Sequence, residues 1–453
     1  MTTPALVPVE PFWMQGPFAP VTEELTVSDL VVEGELPPAL DGTFLRNGPN
    51  PSRGPSPHWW FGDGMIHGIR LERGRATAYR NRYVRTARYT GQAVGPAGDD
   101  ADAVRARRIR GGGTSNTKVL AHGGRWLSMV EAALPMEVAD DLSTVGPHDF
   151  AGQLDQPMTA HPKVCPLTGE LHFFSNQFVA PHLTYFIADA GGRIVARRPL
   201  EVGAPSFMHD FAITEHHALF FDSPARMTRD WGAGMPVEWR PGHPAGIGVV
   251  PRRGGPLRWF PIEPGHLSHT ANAFERDGTL VLDGARSPRF EEGQSRLYRW
   301  ELDLATGASR ERALDERRWA EFPRIDDRRV GLPHRYVYCI ELDRIVNGVP
   351  TAAHLCRHDT LTGTSTLADL GRGRVAGEPV FVPRSPSDPT DDAGWILSLV
   401  CRDDGGPSEL VVCDAAAFSG APVARVRLPA RVPYGFHATW APRIASTAAA
   451  PGA

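Results

Sequence analysis

Short apolar segments separated by turn residues recur along the whole chain. Each segment is rich in β-branched, aromatic and other apolar residues, and Gly, Asp or Asn clusters stand beside several of them. Representative segments are Trp126–Val130, Leu171–Ser175, Ala218–Asp222, Thr279–Leu282, Arg335–Ile340, Trp395–Val400 and Glu409–Cys413. Short strands with frequent turns predict an all-β fold of the sandwich, barrel or propeller type.

The length of the chain favours the propeller among these folds. Four-stranded blades of roughly 40–50 residues, arranged radially, would use up 453 residues with several blades. No repeat fixes the number of blades, and no linker divides the chain, so we expect one domain over residues 1–453. Residues 1–35 are expected to form an extended arm with one short helix-like stretch, and residues 445–453 a disordered tail. Ser309–Ala320 is the best helix candidate, with charges on most faces.

Composition and charge narrow the class of protein. The hydrophobic fraction of 41% and charged fraction of 22% are ordinary for a globular protein, and a net charge of −4 argues against nucleic-acid binding. Five cysteines without a paired spacing argue against a disulfide framework or a Cys-based zinc site. Residues 1–15 lack the pattern of a signal peptide and no apolar run is long enough to cross a bilayer. We therefore expect a cytoplasmic protein; peripheral membrane contact and oligomeric state stay open.

Four of the 17 histidines share an unusual local context. Each lies in a short run of small, apolar and aromatic residues with little charge, which a surface histidine does not require. In a propeller the innermost strand of every blade lines the central axis, so one histidine from each of four inner strands would converge on a point. Neutral imidazoles suit iron, zinc and copper. The four candidate ligands are His161, His209, His269 and His437.

Three glutamates stand in apolar or turn surroundings where a solvated carboxylate is less expected. Histidine ligands usually donate their second N–H to a carboxylate or carbonyl, so a four-histidine site predicts buried carboxylates nearby. The alternative, a strand-end or turn carboxylate facing water, is equally compatible with the residues alone. The three candidates are Glu131, Glu321 and Glu378.

Together with several other motifs, these residues resemble the carotenoid cleavage oxygenase family. The resemblance runs from about Leu36 to about Pro442, nearly the whole chain. Besides the four histidine segments, the matching motifs are Gly42-Thr-Phe-Leu-Arg-Asn-Gly-Pro-Asn-Pro, Phe61-Gly-Asp-Gly-Met-Ile-His-Gly, Tyr79-Arg-Asn-Arg-Tyr-Val-Arg-Thr, Asn116-Thr-Lys, Glu321-Phe-Pro-Arg-Ile and Gly377-Glu-Pro-Val-Phe-Val-Pro. Each motif alone is a weak signal, whereas all of them in order are a strong one.

The resemblance implies a seven-bladed β-propeller with loops and short helices capping one face over an axial Fe(II). It implies that the four histidines bind the iron and that the three glutamates support them from behind. Thr117 falls where many members carry a threonine whose methyl group crowds one iron coordination position. The implied reaction cleaves a C=C bond with O2 and gives two carbonyl products, without nicotinamide, flavin or 2-oxoglutarate.

The substrate is the open question, because the implied metal site is common to the whole family. Its phenolic-alkene members resemble one another in using a Tyr and a Lys, with the Lys just before the first of the three glutamates. Here that position is Val130. We therefore expect O2 and a hydrophobic alkene, an apocarotenoid or carotenoid, as partners. The alternatives are a phenolic alkene (a hydroxystilbene, isoeugenol or a vinyl phenol) and, less favoured, a non-catalytic propeller binding module. Candidates for an apolar tunnel, with core packing as the alternative, are Phe207, Phe274, Phe436 and Trp440.

Overall fold

Seven antiparallel sheets radiate from one axis as the blades of a β-propeller. The structure, a computed structural model, describes residues 10–92, 95, 101–229, 235–290, 294–346 and 349–443. All seven apolar segments named above lie mainly within strands of these sheets. The predicted all-β propeller, and the seven blades that the family resemblance implied, are confirmed.

Blades 2, 3, 5 and 6 are each formed by four strands that follow one another in the chain. Blade 2 comprises Lys118–His122, Arg125–Met129, Met136–Val138 and Thr144–Pro147. Blade 3 comprises Lys163–Val164, Leu171–Asn176, Leu183–Ala188 and Ile194–Leu200. Blade 5 comprises His266–Arg276, Thr279–Ser287, Arg296–Asp303 and Ser309–Ala313. Blade 6 comprises Ala320–Arg324, Tyr336–Val346, Val349–Asp359 and Thr364–Leu367.

Blade 4 carries an insertion between its second and third strands. Its strands are Phe211–Ile213, His217–Asp222, Ala245–Pro251 and Arg258–Ile262, and the inserted hairpin pairs Ala225–Met227 with Val237–Trp239. The hairpin holds the segment before the blade, because the Phe207 N–H donates to the Ala225 carbonyl at 3.0 Å. The segment that leads into the first strand of blade 4 is thereby held by the inserted hairpin.

Blades 1 and 7 combine strands from both ends of the chain and so close the ring. Blade 1 comprises Thr26–Ser28, Gly42–Pro49, Gly64–Glu72, Arg75–Tyr83 and Ala438–Pro442. Blade 7 comprises Val32–Gly34, Arg374–Ala376, Val380–Pro383, Gly394–Arg402, Glu409–Asp414 and Ala424–Arg427. The C-terminal strand is innermost in blade 1, where it pairs with Gly42–Pro49, and the N-terminal Val32–Gly34 is outermost in blade 7. The ring is thus closed by the strand Ala438–Pro442 at the axis and the strand Val32–Gly34 at the rim.

Helices are few and short in the described part of the chain. The α-helices are Ala87–Thr90 and Ala101–Arg110, and the 3-10 helices are Phe12–Met14, Gly16–Phe18, Trp59–Phe61 and Asp327–Arg329. The predicted arm over residues 1–35 contains, from residue 10 onward, two of these 3-10 turns and two strands that join blades 1 and 7. The predicted tail, residues 445–453, lies outside the described residues. No described helix is long and apolar enough to span a membrane.

The helix predicted over Ser309–Ala320 is wrong. Ser309–Ala313 is the outermost strand of blade 5, and Ala320 begins the first strand of blade 6. Residues 309–313 alternate between half-buried and exposed positions, the period of a strand. Charged side chains suit an outermost strand, because they oppose pairing with another sheet, and that explains the many arginines and glutamates here.

Candidate metal centre

One residue from every blade points to the propeller axis. The contributors, in blade order, are His437, Glu131, His161, His209, His269, Glu321 and Glu378. The four histidines and three glutamates singled out from the sequence are thus brought together; six of them lie at the start of the innermost strand of a blade or just outside it, and Glu131 follows the second strand of blade 2. The propeller geometry explains this, because equivalent positions of seven radial sheets meet at one end of one channel.

The histidine nitrogens converge on one point. His161, His209 and His269 each offer a nitrogen within 4.8 Å of the other two, and Nε2 of His209 lies 3.2 Å from Nε2 of His269. Two nitrogens bound cis to one ion at about 2.1 Å would lie about 3 Å apart. The His437 ring completes the group, with its centroid 4.6 Å from that of His161 and 4.9 Å from that of His269.

Two features show that a metal ion fits this group. Nε2 of His161 is buried and has no hydrogen-bond partner in the described part of the structure, which is unfavourable unless another group takes its lone pair or proton. The four rings also supply only neutral nitrogen donors, a set that suits a divalent transition metal. Burial lowers the pKa of His161 well below its usual value, with the neighbouring histidines adding to the effect, so its imidazole is in the neutral form that a metal requires.

Each of the other three histidines has its own carboxylate. Nδ1 of His269 lies 2.7 Å from Glu321 and Nδ1 of His437 lies 3.0 Å from Glu378. Nδ1 of His209 lies 2.6 Å from Glu131, an ion-pair distance at which the N–H is poorly aligned for a hydrogen bond. Such contacts fix the tautomer, so that Nε2 is the nitrogen that faces the axis.

The carboxylates of Glu321 and Glu378 are ionised, although Glu321 is half-buried and Glu378 is buried. Burial alone would raise the pKa of Glu321, but His269 and the hydrogen bonds from Ser268 and from the Phe322 N–H outweigh it and lower the pKa to about 2. For Glu378 burial is likewise outweighed by His437 and Arg324, and its pKa falls far below the usual value. The carboxylates of Glu321 and Glu378 therefore place negative charge beside the imidazoles of His269 and His437.

A fourth carboxylate, that of Asp210, connects three segments that carry candidate ligands. Asp210 follows His209 directly, and its Oδ1 lies 2.8 Å from Nζ of Lys163, two residues after His161. Its Oδ2 accepts the Thr270 N–H at 2.8 Å and the Thr270 hydroxyl at 2.9 Å, next to His269. Sequence reasoning passed over Asp210, although its position beside a candidate ligand was a usable signal.

One side of the centre is accessible from within the protein. His161 and His437 are buried, whereas His209 and His269 are half-buried and face a layer of aromatic rings. The Trp60 ring stacks 6.4 Å from His209, Phe207 stacks 6.2 Å from His209, and Phe322 lies 5.1 Å from His269. This side offers an approach for an apolar molecule.

The proposed tunnel residues fall into two groups. Phe207 lies in the aromatic layer, and Phe436 lies 4.9 Å from Trp59 next to His437. Trp440 packs against Gly42 in the core of blade 1, and the Phe274 ring contacts His334, Arg276 and Arg299, so both of these are core residues. Trp60, Phe290 and Phe322 also belong to the aromatic layer, and none of them was among the residues named from the sequence.

Thr117 and Val130 lie beside the centre on blade 2. The Thr117 carbonyl accepts the His437 N–H at 3.2 Å, and its hydroxyl donates to the Asn116 side chain. Asn116 also donates to the Trp60 carbonyl at 2.8 Å, which holds Trp60 in place. Val130 packs against Gly113, where a Cβ would lie 2.9 Å from a Val130 methyl carbon. No lysine occupies the position next to Glu131.

Four converging imidazoles, three of them with a carboxylate on the far nitrogen, form a candidate transition-metal site at the axis of the propeller. The family model described as retinal pigment epithelial membrane protein matches residues 18–442. A carotenoid cleavage oxygenase of Mycobacterium tuberculosis is 36% identical, covering 98% of this chain and 100% of its own length. The chain belongs to the carotenoid cleavage oxygenase family, and it is a dioxygenase that cleaves a C=C bond.

Solved structures agree with this assignment. A lignostilbene dioxygenase of Pseudomonas brassicacearum superposes with a TM-score of 0.86 at 29% identity, covering 96% of this chain and 100% of the other. A cobalt-substituted apocarotenoid oxygenase of Synechocystis superposes with a TM-score of 0.82 at 28% identity, covering 94% and 97%. Relatives of both substrate classes therefore share this fold.

Proposed function

We propose that the protein binds Fe(II) through His161, His209, His269 and His437 and cleaves a double bond of an apocarotenoid or carotenoid. The observation that carries the proposal is the convergence of four imidazoles, three of them with a carboxylate on the far nitrogen. Four protein ligands on an octahedral ion leave two positions for oxygen and substrate. The metal, when bound, supplies the electronic means to activate O2.

The residues of the chain have three tasks in this reaction. Glu131, Glu321 and Glu378 hold their imidazoles in one tautomer and one orientation, so the donor set is fixed before the metal binds. The aromatic layer excludes water from the side where His209 and His269 are accessible, and it presents flat apolar surfaces to a conjugated chain. Thr117, whose main chain is tied to His437, is proposed to crowd one coordination position with its methyl group.

The preference for a polyene rests on what surrounds Glu131. Val130 stands where phenolic-alkene members carry their lysine, and the two lysines of the chain are placed elsewhere. Lys163 is paired with Asp210, and Lys118 lies near Arg324 and Glu378 on the axis. A phenolic alkene is the second candidate, supported by the close superposition with a lignostilbene dioxygenase.

Product analysis tests both parts of the proposal. Protein reconstituted with Fe(II), with occupancy measured by elemental analysis, is given a β-ring apocarotenal and a hydroxystilbene in separate reactions under 18O-labelled O2. We expect two carbonyl products from the apocarotenal, each carrying labelled oxygen before exchange with water. Cleavage of the stilbene alone would overturn the preferred substrate, no cleavage of either compound at full iron occupancy would overturn both candidate substrates, and failure of the protein to retain iron would overturn the Fe(II) assignment.

We also propose a cytoplasmic location. All five cysteines are buried and unpaired, which suits a reducing compartment. Fractionation of the native host, with detection of the protein by mass spectrometry, tests this proposal, and recovery in a secreted or periplasmic fraction would contradict it.

A further inference from the structure

His266 is a buried polar side chain without a partner in the wall of the proposed substrate site. It is 6% exposed, at the start of the inner strand of blade 5. No hydrogen bond or ion pair joins its imidazole to another described residue; its contacts are with the rings of Phe207 and Phe290. Its ring nitrogens are thus not engaged by the described part of the protein, and they can hydrogen-bond a ligand that reaches this wall.

The rings around His266 connect it directly to the metal centre. Phe207 is stacked on His209 at 6.2 Å and 20° on one face, and on His266 at 6.0 Å and 19° on the other. Phe290 lies 5.0 Å from His266 and 5.9 Å from Trp60, which in turn faces His209. His266 is therefore one phenyl ring away from a proposed metal ligand, along a continuous aromatic wall.

The chemistry of His266 differs from that of the rest of the wall. Phe207, Phe290 and Phe322 have no polar group and Trp60 offers only an indole N–H donor, whereas the imidazole has both a donor and an acceptor when neutral. Burial lowers the pKa of His266 to about 3, so the ring is neutral near pH 7 and can both donate and accept a hydrogen bond. A neutral donor–acceptor suits a hydroxyl or carbonyl oxygen better than it suits a carboxylate.

We propose that His266 is a specificity-determining residue that hydrogen-bonds an oxygen on the substrate. The Phe207 ring separates His266 from His209, so this oxygen would lie about one ring width away from the candidate metal ligand. The ligand class is an alkene that bears a hydroxyl or carbonyl oxygen, in preference to a pure hydrocarbon. Two sources share this chemistry, an apocarotenoid with a terminal oxygen and a phenolic alkene. The inference rests on the proposed function, since it takes the aromatic wall as the substrate site.

Paired substrates with the His266→Phe variant test the inference. One pair is a β-ring apocarotenal and β-carotene, and the other is para-hydroxystilbene and stilbene; in each pair only the first compound has oxygen. Phenylalanine keeps the stacking on Phe207 but removes both nitrogens. We expect kcat/KM for the oxygenated member to fall by about three- to tenfold relative to its hydrocarbon partner, the range of one neutral hydrogen bond. The pair that shows the change identifies the source of the oxygen.

Two further variants separate recognition from packing. His266→Gln restores a donor and an acceptor and is expected to recover part of the preference for the oxygenated compound. His216→Phe makes the same replacement at an exposed histidine and should leave both ratios as they are in the unaltered protein. An equal change for both members of both pairs would assign His266 to packing alone and overturn the inference.

Binding measured without oxygen distinguishes failure of this inference from failure of the proposed function. Dissociation constants of the same compounds are measured anaerobically with metal-loaded protein, where no turnover occurs. If no compound is cleaved in air, the proposed function fails, yet a preference for oxygenated ligands that His266→Phe removes would still support the inference. Anaerobic affinities that His266→Phe leaves unchanged for all four compounds would reject it.

Discussion

The carboxylate of Asp210 is expected to control metal binding without touching the metal. It contacts Lys163 of blade 3 and Thr270 of blade 5, and it directly follows His209 of blade 4. Each of these residues lies within two positions of one of three converging histidines. Replacement by asparagine keeps the size of the side chain and one acceptor oxygen but removes the charge that holds Lys163, so the three strands lose their common anchor.

The expected magnitude follows from the burial of the pair. The Asp210 side chain is 2% exposed and that of Lys163 is 17% exposed, so removal of one partner leaves a charge with little access to water. Breaking a buried ion pair in this way costs about 3–5 kcal/mol. For Asp210→Asn we expect a loss of stability at the lower end of this range, because the hydrogen bonds from Thr270 can persist and Lys163 is still partly exposed to water. Loss of support for the ligands should weaken metal affinity by about 10–100-fold.

Urea unfolding of the metal-free protein and competition with a chelator measure the two effects separately. Asp189→Asn is the matched control, because it makes the same replacement at a solvated turn whose carboxylate pairs with Arg193, and both measurements should stay close to those of the unaltered protein. Adding Lys163→Met to Asp210→Asn removes the unpaired charge and should recover part of the stability. The reasoning is refuted if Asp210→Asn leaves both stability and metal affinity unchanged.

Three further changes probe the site and its frame. Glu321→Gln or Glu378→Gln should lower Fe(II) affinity by about 10–100-fold in chelator competition with little change in fold by circular dichroism; unchanged affinity would contradict their supporting role. Burial would raise the pKa of Asp283, but Arg299 and His334 lower it to about 2, so its stabilisation is present above about pH 4 and is lost as pH falls toward 2. The urea midpoint of unfolding should therefore fall less steeply below about pH 4 for Asp283→Asn than for the unaltered protein. Equal slopes would contradict the stabilising role of the Asp283 carboxylate. Phe322 has a φ of 50°, which disfavours any side chain, so Phe322→Gly should be more stable than Phe322→Ala by about 1 kcal/mol in thermal melts, and the reverse order would show that the backbone there is unstrained.

The residues that face the axis could be found from the sequence because their surroundings are unusual. His161, His209 and His437 each follow apolar or small residues, and a histidine in that context needs a partner other than water. Which glutamate supports which histidine could not be found in the same way. Glu131 of blade 2 serves His209 of blade 4, whereas the other two pairs join neighbouring blades. Each pair joins residues of two different blades, and no local sequence pattern encodes which blades meet in this way.

His266 was not among the candidate residues named from the sequence, and the alternation of side chains along a strand would not have pointed to it. Residues three apart on a regular strand point to opposite faces, so His266 and His269 should not share a site. The pairing register of this strand shifts between Leu267 and His269, and the extra residue at this β-bulge, Ser268, turns inward to donate to Glu321. A bulge changes the phase of the alternation and brings both histidines to the same side. Sequence alternation alone cannot show where such a shift occurs.

The four imidazoles are oriented in two different ways, and this divides the centre chemically. His209, His269 and His437 are held by ionised carboxylates, so their orientation depends on charge. The His161 ring has no carboxylate partner among the described residues; the His161 backbone N–H donates to the Thr159 hydroxyl at 3.1 Å, and Pro162 restricts the backbone of His161 to extended conformations. Protonation of the glutamates at low pH would therefore release three ligands and leave the fourth in place. Because all three carboxylate supports must be present to fix the donor set, metal should be lost in a cooperative step on acidification while the His161 strand keeps its conformation.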